Sequence, residues 1–350
     1  MAGPAAADRC TGAIIDATHI ATAAHCLYSK GGVLVSAAGV RVEAGVSNYL
    51  HPRSGGSEQD RSVAAIRVHP DYARKGFPPS FWSPVLKGLS PDDIAVLTLS
   101  KPLDLSGPDA RAIALPPAGF HFPAKAAVRI AGFGRSHLVL KGGRITIAPP
   151  DGRLAVMSAT VDSQGFCGNT IVDGNGEPFP LNAVQLCASA PNSATCYGDS
   201  GAALVTAGAH PVLIGIVDGS PFGTCRANYA TMYTYVGAGE VRRFLAGDDH
   251  PPLAPRWKGS AFLFCNWTTP PHVGDVIRCA AGGAGKVSLQ YIFMTSKNQV
   301  LQSGPKPTYT IGSAAIGSKV WCLAAATNAG GTTLMGDANE PLQDVDVVRP

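Results

Sequence analysis

Cys196-Tyr197-Gly198-Asp199-Ser200-Gly201-Ala202-Ala203-Leu204 gives this chain both its chemistry and its architecture. A serine between an aspartate and a glycine, behind a second glycine, suits a tight bend that exposes one hydroxyl. Glycine lets the backbone take angles and close approaches that a Cβ would block. The apolar Ala202-Ala203-Leu204-Val205 that follows reads as a buried strand leaving the bend. A serine hydroxyl is a weak nucleophile until a base takes its proton. By itself Gly-Asp-Ser-Gly is a turn motif. It gains chemical meaning only if the chain also supplies a histidine and a carboxylate.

Both occur upstream. Ile20-Ala21-Thr22-Ala23-Ala24-His25-Cys26 brings a small-residue, partly β-branched run to a histidine. Ser90-Pro91-Asp92-Asp93-Ile94-Ala95-Val96-Leu97-Thr98-Leu99 opens an apolar strand on an acidic pair. The order His, Asp, Ser is one of several that unrelated folds use for the same constellation. Thr22-Ala23-Ala24-His25-Cys26, Asp93-Ile94-Ala95-Val96-Leu97 and Gly198-Asp199-Ser200-Gly201 resemble the three signature blocks of the chymotrypsin-like (trypsin family) serine proteases.

The resemblance implies an all-β fold: two six-stranded Greek-key barrels of chymotrypsin type, the first lacking its N-terminal strand. It implies His25 as general base, Asp93 as the carboxylate that orients it, and Ser200 as nucleophile. The backbone N–H groups of Gly198 and Ser200 become the oxyanion donors. Asp93 is chosen over Asp92 because it abuts Ile94-Ala95-Val96-Leu97, which leaves Asp92 as a solvated neighbour. The reaction implied is peptide-bond hydrolysis through an acyl-enzyme, on a protein or peptide substrate and without a cofactor or metal.

Composition agrees with such a fold. At 350 residues the chain has room for about two domains. With 41 glycines, 28 prolines and only 15% charged residues, it favours turn-rich β structure over long helices or disorder. The net charge of +4 is weak and unclustered, so nucleic acid is not an expected partner. No run of 18 apolar residues encodes a spanning helix. Nine cysteines without a Cys-x-x-Cys pair fit a disulfide framework better than zinc or redox chemistry, and place the chain in an oxidising compartment, secreted or periplasmic. Met1 to Arg9 has neither the basic start nor the apolar run of a secretion signal. The cysteines are taken as the stronger signal.

The family likeness implies disulfides Cys10–Cys26, Cys167–Cys187 and Cys196–Cys225. The first would fix the turn carrying His25 and stabilise the fold by roughly 3 kcal/mol. The likeness also marks departures. The family's N-terminal segment, whose freed amine pairs with the aspartate before the nucleophile, has no counterpart here, so Asp199 is expected to lack that partner. Asp218-Gly219 stands where the family has Ser-Trp. The specificity pocket is expected at Ala194, Ser220 and Thr231. Without an acid at its base, it suits a small aliphatic side chain rather than Lys or Arg. Residues 33–50 read as strands, Pro70-Asp71-Tyr72 as a turn, Leu138 to Val161 as a hairpin about Gly142-Gly143, and Gly239 to Ala246 as a terminal helix.

The domains expected are a protease domain at 1–246, a linker at 247–257 and a small β-sandwich at 258–340. Val273 to Cys279 and Val320-Trp321-Cys322 resemble the cysteine-bearing strands of bacterial immunoglobulin-like modules. That likeness implies a Cys279–Cys322 disulfide under Tyr291, leaving Cys265 as a buried thiol or an intermolecular bridge. A surface or a protein is the expected ligand of this module. The alternative reading is a protease-like binding protein, inactive for want of the activating segment.

Overall fold

The computed structural model describes residues 9–29, 31–51, 57–75, 92–117, 125–135, 138–141, 144–147, 150–162, 184–219, 225, 230–255, 262–266, 271–284, 287–295 and 300–336. They fall into two units, one of 9–162 with 184–251 and one from 252 onward.

The first unit opens with β1 (Ala13–Ile14), β2 (His19–Thr22), β3 (Arg41–Ala44), β4 (Gln59–Val68) and β5 (Ala95–Leu99). They form one five-stranded sheet in the order β1-β2-β5-β4-β3. Alternation is strict in β3, where Val42 and Ala44 are buried and Arg41 and Glu43 exposed. In β5 both faces are covered, so Ala95-Val96-Leu97 is buried throughout. Two expectations need correction. Pro70-Asp71-Tyr72 begins a helix, α1 (Pro70–Lys75), because proline is well placed in a first turn whose N–H groups need no intrahelical partner. Of residues 33–50 only Arg41–Ala44 forms a strand, and Ala37–Gly39 is a 3₁₀ turn.

The chain continues as β6 (Ala127–Gly132), the hairpin β7 (Leu138–Lys141) and β8 (Arg144–Ile147), then β9 (Ala155–Val161), β10 (Gln185–Ser189), β11 (Ala203–Thr206), β12 (Leu213–Gly219) and β13 (Thr231–Tyr235). Lys141 pairs with Arg144 across the Gly142-Gly143 turn, which lies outside the described residues. The other six strands close a barrel in the order β10-β13-β12-β11-β6-β9. Helix α2 (Gly239–Leu245) follows and buries Val241, Phe244 and Leu245. The sheet and the barrel share a core in which Ala21, Ile94 and Val96 meet Leu213, Ile216, Val236 and Phe244. The fold is the double barrel expected, with an open five-stranded first sheet among the described residues.

In the second unit β14 (Phe262–Asn266), β15 (Val276–Gly282) and β18 (Thr308–Thr310) form one sheet. The strands β16 (Ser288–Thr295), β17 (Val300–Gly304), β19 (Val320–Asn328) and β20 (Gly331–Gly336) form another. Both sheets contribute to one core, with Ile277, Cys279 and Tyr309 from the first and Tyr291, Phe293 and Val320 from the second. The disulfide expected here is corrected: Cys265 bonds Cys279, and Cys322 is buried outside that bond. Strand pairing explains it. Cys265 and Cys279 lie directly opposite in the β14–β15 register, with Cα atoms 4.0 Å apart, while Cys322 reaches the same spot from the facing sheet.

Candidate active site

His25 lies in a 3₁₀ turn, Ala24–Leu27, that leaves the end of β2. Ala21, Ala23 and Ala24 are fully buried, so only small side chains fit this run. A disulfide joins Cys26 to Cys10 and ties the turn to the start of β1. Antiparallel pairing then brings in the carboxylate. Thr22 at the end of β2 faces Ala95 at the start of β5, so the residues just beyond each strand end are neighbours. Asp93, fully buried, accepts the His25 backbone N–H at 2.8 Å on Oδ1 and meets the His25 Nδ1 at 2.5 Å on Oδ2. From the barrel, the Thr234 hydroxyl donates to the Asp93 carbonyl at 3.1 Å.

Ser200 sits on the loop before β11. Gly198 and Gly201 both have positive φ, at 102° and 82°. A Cβ on Gly201 would overlap Thr22 and the Thr11 carbonyl, so the bend lies flush against the first sheet. Thr11 binds it there. Its N–H donates to the Ser200 carbonyl at 2.9 Å and its hydroxyl to the Gly198 carbonyl at 2.9 Å. On the other side, the Gly201 N–H donates to Val217 O at 2.8 Å. With both carbonyls turned inward and bonded, the N–H groups of Gly198 and Ser200 are left without partners among the described residues. The Cys26 sulfur lies 3.8 Å from the Ser200 carbonyl oxygen, which brings Ser200 beside the histidine turn. Among the described residues the Ser200 hydroxyl itself makes no hydrogen bond.

Asp199 points away from this seam. Its carboxylate accepts the N–H groups of Gly134 at 2.8 Å and Cys196 at 2.9 Å. A Cβ at Gly132 or Gly134 would overlap it. Burial raises its pKa, and those two N–H bonds counter the rise.

Asp92 is not the solvated neighbour expected. It is fully buried, has φ of 65° and sits 3.9 Å from Nδ1 of the equally buried His69. The tight turn into Ile94, whose N–H donates to Asp92 O at 2.7 Å, forces it inward. Asp218 is a residue that the sequence reading noted only as a departure. Its carboxylate lies within 4.8 Å of those of Asp93 and of the His25 ring. Two charges at that range repel by roughly 3–4 kcal/mol at an effective dielectric constant of 20. The His25–Asp93 contact of 2.5 Å is a hydrogen-bond length, shorter than the roughly 3.3 Å between two ligands about 2.0 Å from one tetrahedral ion.

Of the residues expected to form the specificity pocket, Thr231 is buried and its hydroxyl pairs with that of Thr195, the neighbour of Ala194, at 2.8 Å. A disulfide joins Cys196 to Cys225. Cys187 is disulfide-bonded, and Cys167 and Ser220 lie outside the described residues.

A closed β-barrel beside a half-barrel, with a histidine–aspartate pair and a Gly-Asp-Ser-Gly bend at their seam, defines a serine endopeptidase of the double-barrel type. The family model described as Trypsin matches residues 3–240, and the chain belongs to that family. Similar proteins include Trypsin alpha of Drosophila erecta, 32% identical over 227 residues, which cover 65% of this chain and 73% of the relative. Trypsin alpha-4 of Lucilia cuprina is 30% identical over 230 residues, covering 65% and 74%. The substrates of a serine endopeptidase are peptides or proteins, and no described helix is long and apolar enough to cross a membrane.

Proposed function

We propose that His25, Asp93 and Ser200 carry the reaction as base, orienting carboxylate and nucleophile. His25 takes the Ser200 proton as the hydroxyl attacks the scissile carbonyl, then delivers it to the leaving amine. Asp93 fixes the ring through Nδ1 and stabilises its imidazolium form. The N–H groups of Gly198 and Ser200 receive the oxyanion, a donor being worth roughly 3 kcal/mol of barrier. The observation that carries this reading is the double hydrogen bond of Asp93 to the His25 backbone and ring. The N–H groups beside Ser200, unpartnered among the described residues, support it.

Specificity on this reading is for a small aliphatic residue, held by Ala194, Ser220 and Thr231. The Thr195–Thr231 hydrogen bond, which joins the strand of Thr231 to the segment of Ala194, supports it. The domains proposed are 1–246, a linker 247–257 and an immunoglobulin-like module at 258–340 that binds a surface or a protein. The disulfides support secretion into an oxidising compartment. A panel of chromogenic peptides tests the reaction and the pocket together. Cleavage after Ala or Val that disappears in Ser200→Ala supports both. Strong cleavage after Arg overturns the pocket, and unchanged turnover in Ser200→Ala overturns the triad.

A further inference from the structure

Asp218 is a buried carboxyl to which the reaction above gives no task. It sits at a bulge in β12, where the register with β13 shifts between Val217 and Gly219. The whole run from Leu213 to Asp218 is buried, and Asp218 lies two residues beyond Ile216, which packs with Ile94 in the core shared with the first sheet. The carboxylates of Asp218 and Asp93 and the ring of His25 all come within 4.8 Å of one another. Neither Asp218 oxygen accepts a hydrogen bond from a described residue. Asp93 accepts two N–H donors from His25. Buried carboxyl groups this close share one proton rather than both ionising. Negative charge settles where the donors point, which is Asp93, and the proton is left to Asp218.

We infer that Asp218 is held as a carboxylic acid that donates its proton to Asp93 in a hydrogen bond, making it a positioning residue for the His25–Asp93 pair. This inference rests on the triad reading. The acid form fixes the Asp93 carboxylate on the side His25 does not reach, without placing a second negative charge beside the imidazole. Burial, then the Asp93 charge and the bond to it, drive the Asp218 carboxyl well above the usual carboxylate range. Among the described residues Tyr72 of α1 also faces it, itself buried, neutral and pushed up by burial and by both aspartates. Strand β11 carries no titratable side chain, and Tyr233 of β13 interacts with Asp199 and Asp162 instead.

Infrared difference spectroscopy on the full chain, wild type minus Asp218→Asn at neutral pH, reads this proton without any turnover. A carboxylic-acid C=O band present in the wild type and lost in the variant is expected. Carboxylate bands alone would overturn the inference. Kinetics give a second readout. Asp218→Asn, neutral and still a donor, should keep kcat within about threefold, whereas Asp218→Leu should lose about 10- to 100-fold in kcat with KM unchanged. An acid limb of the kcat/KM profile that stays in place in Asp218→Asn supports a neutral Asp218. A limb that moves by about one pH unit or more marks it as an anion and overturns the inference. If the wild type proves unreactive the triad reading fails, and the infrared band still decides the carboxyl pair.

Discussion

Asp199 and Asp162 show how burial sets the behaviour of single carboxyl groups in this enzyme. Asp199 fits only because Gly132 and Gly134 leave room for it. Gly134→Ala should push the carboxylate off the Gly134 and Cys196 N–H groups and disturb the bend that carries Ser200. Overpacking of this kind costs roughly 1–3 kcal/mol. The expected result is a lower melting temperature together with a loss of kcat/KM, read by calorimetry and peptide hydrolysis. Asp162, hydrogen-bonded to the Ser189 hydroxyl at 2.9 Å, has its pKa raised from 3.8 to about 6 by burial. A raised carboxyl contributes stability that is fully present below its unfolded value and lost as pH rises through the folded one. Melting curves should therefore show Asp162→Asn gaining on the wild type between about pH 4 and pH 7, and a gap independent of pH would contradict this. Individual roles were unequally legible in the sequence. His25, Asp93 and Ser200 stand in recognisable blocks, but Asp92 looked exposed because the tight turn into Ile94 that buries both adjacent acids has no sequence signal of its own. Thr11, which stitches the Ser200 and Gly198 carbonyls, carries no signal beyond its place after Cys10.

Pairing between strands is what converts these separate residues into a site. β2 and β5 run antiparallel with Thr22 opposite Ala95, so His25 and Asp93 meet as the chain leaves one strand and enters the other. β11 and β12 hold the bend of Ser200 through Gly201 N–H and Val217 O. The apolar runs made these strands readable, because a buried strand announces itself by composition. The approach of Asp218 to Asp93 was not readable, since it depends on a barrel strand meeting the loop before β5. The cysteines of the second unit make the same point. Three sulfurs lie within 4.8 Å, and sequence spacing cannot tell which two join. The register puts Cys265 opposite Cys279. Peptide mapping under non-reducing conditions should recover a Cys265–Cys279 linked pair and a Cys322 that alkylates only after unfolding. A Cys279–Cys322 pair would contradict that assignment.

The chain as a whole carries a trypsin-family protease and a second β unit. Arg67 binds the Phe244 carbonyl at 2.9 Å and the Asp249 carboxylate at 3.0 Å, which anchors the end of the first unit. Asn328 donates to the Leu253 carbonyl at 3.0 Å, which anchors the start of the second. The activity itself depends on one serine being made nucleophilic by its neighbours. Labelling the full chain with a fluorophosphonate and mapping the adduct by mass spectrometry measures that property at a single atom. The adduct should fall on Ser200 alone and vanish in His25→Ala with the fold intact. A wild-type protein that remains unlabelled, or that carries the label elsewhere, would contradict the mechanism.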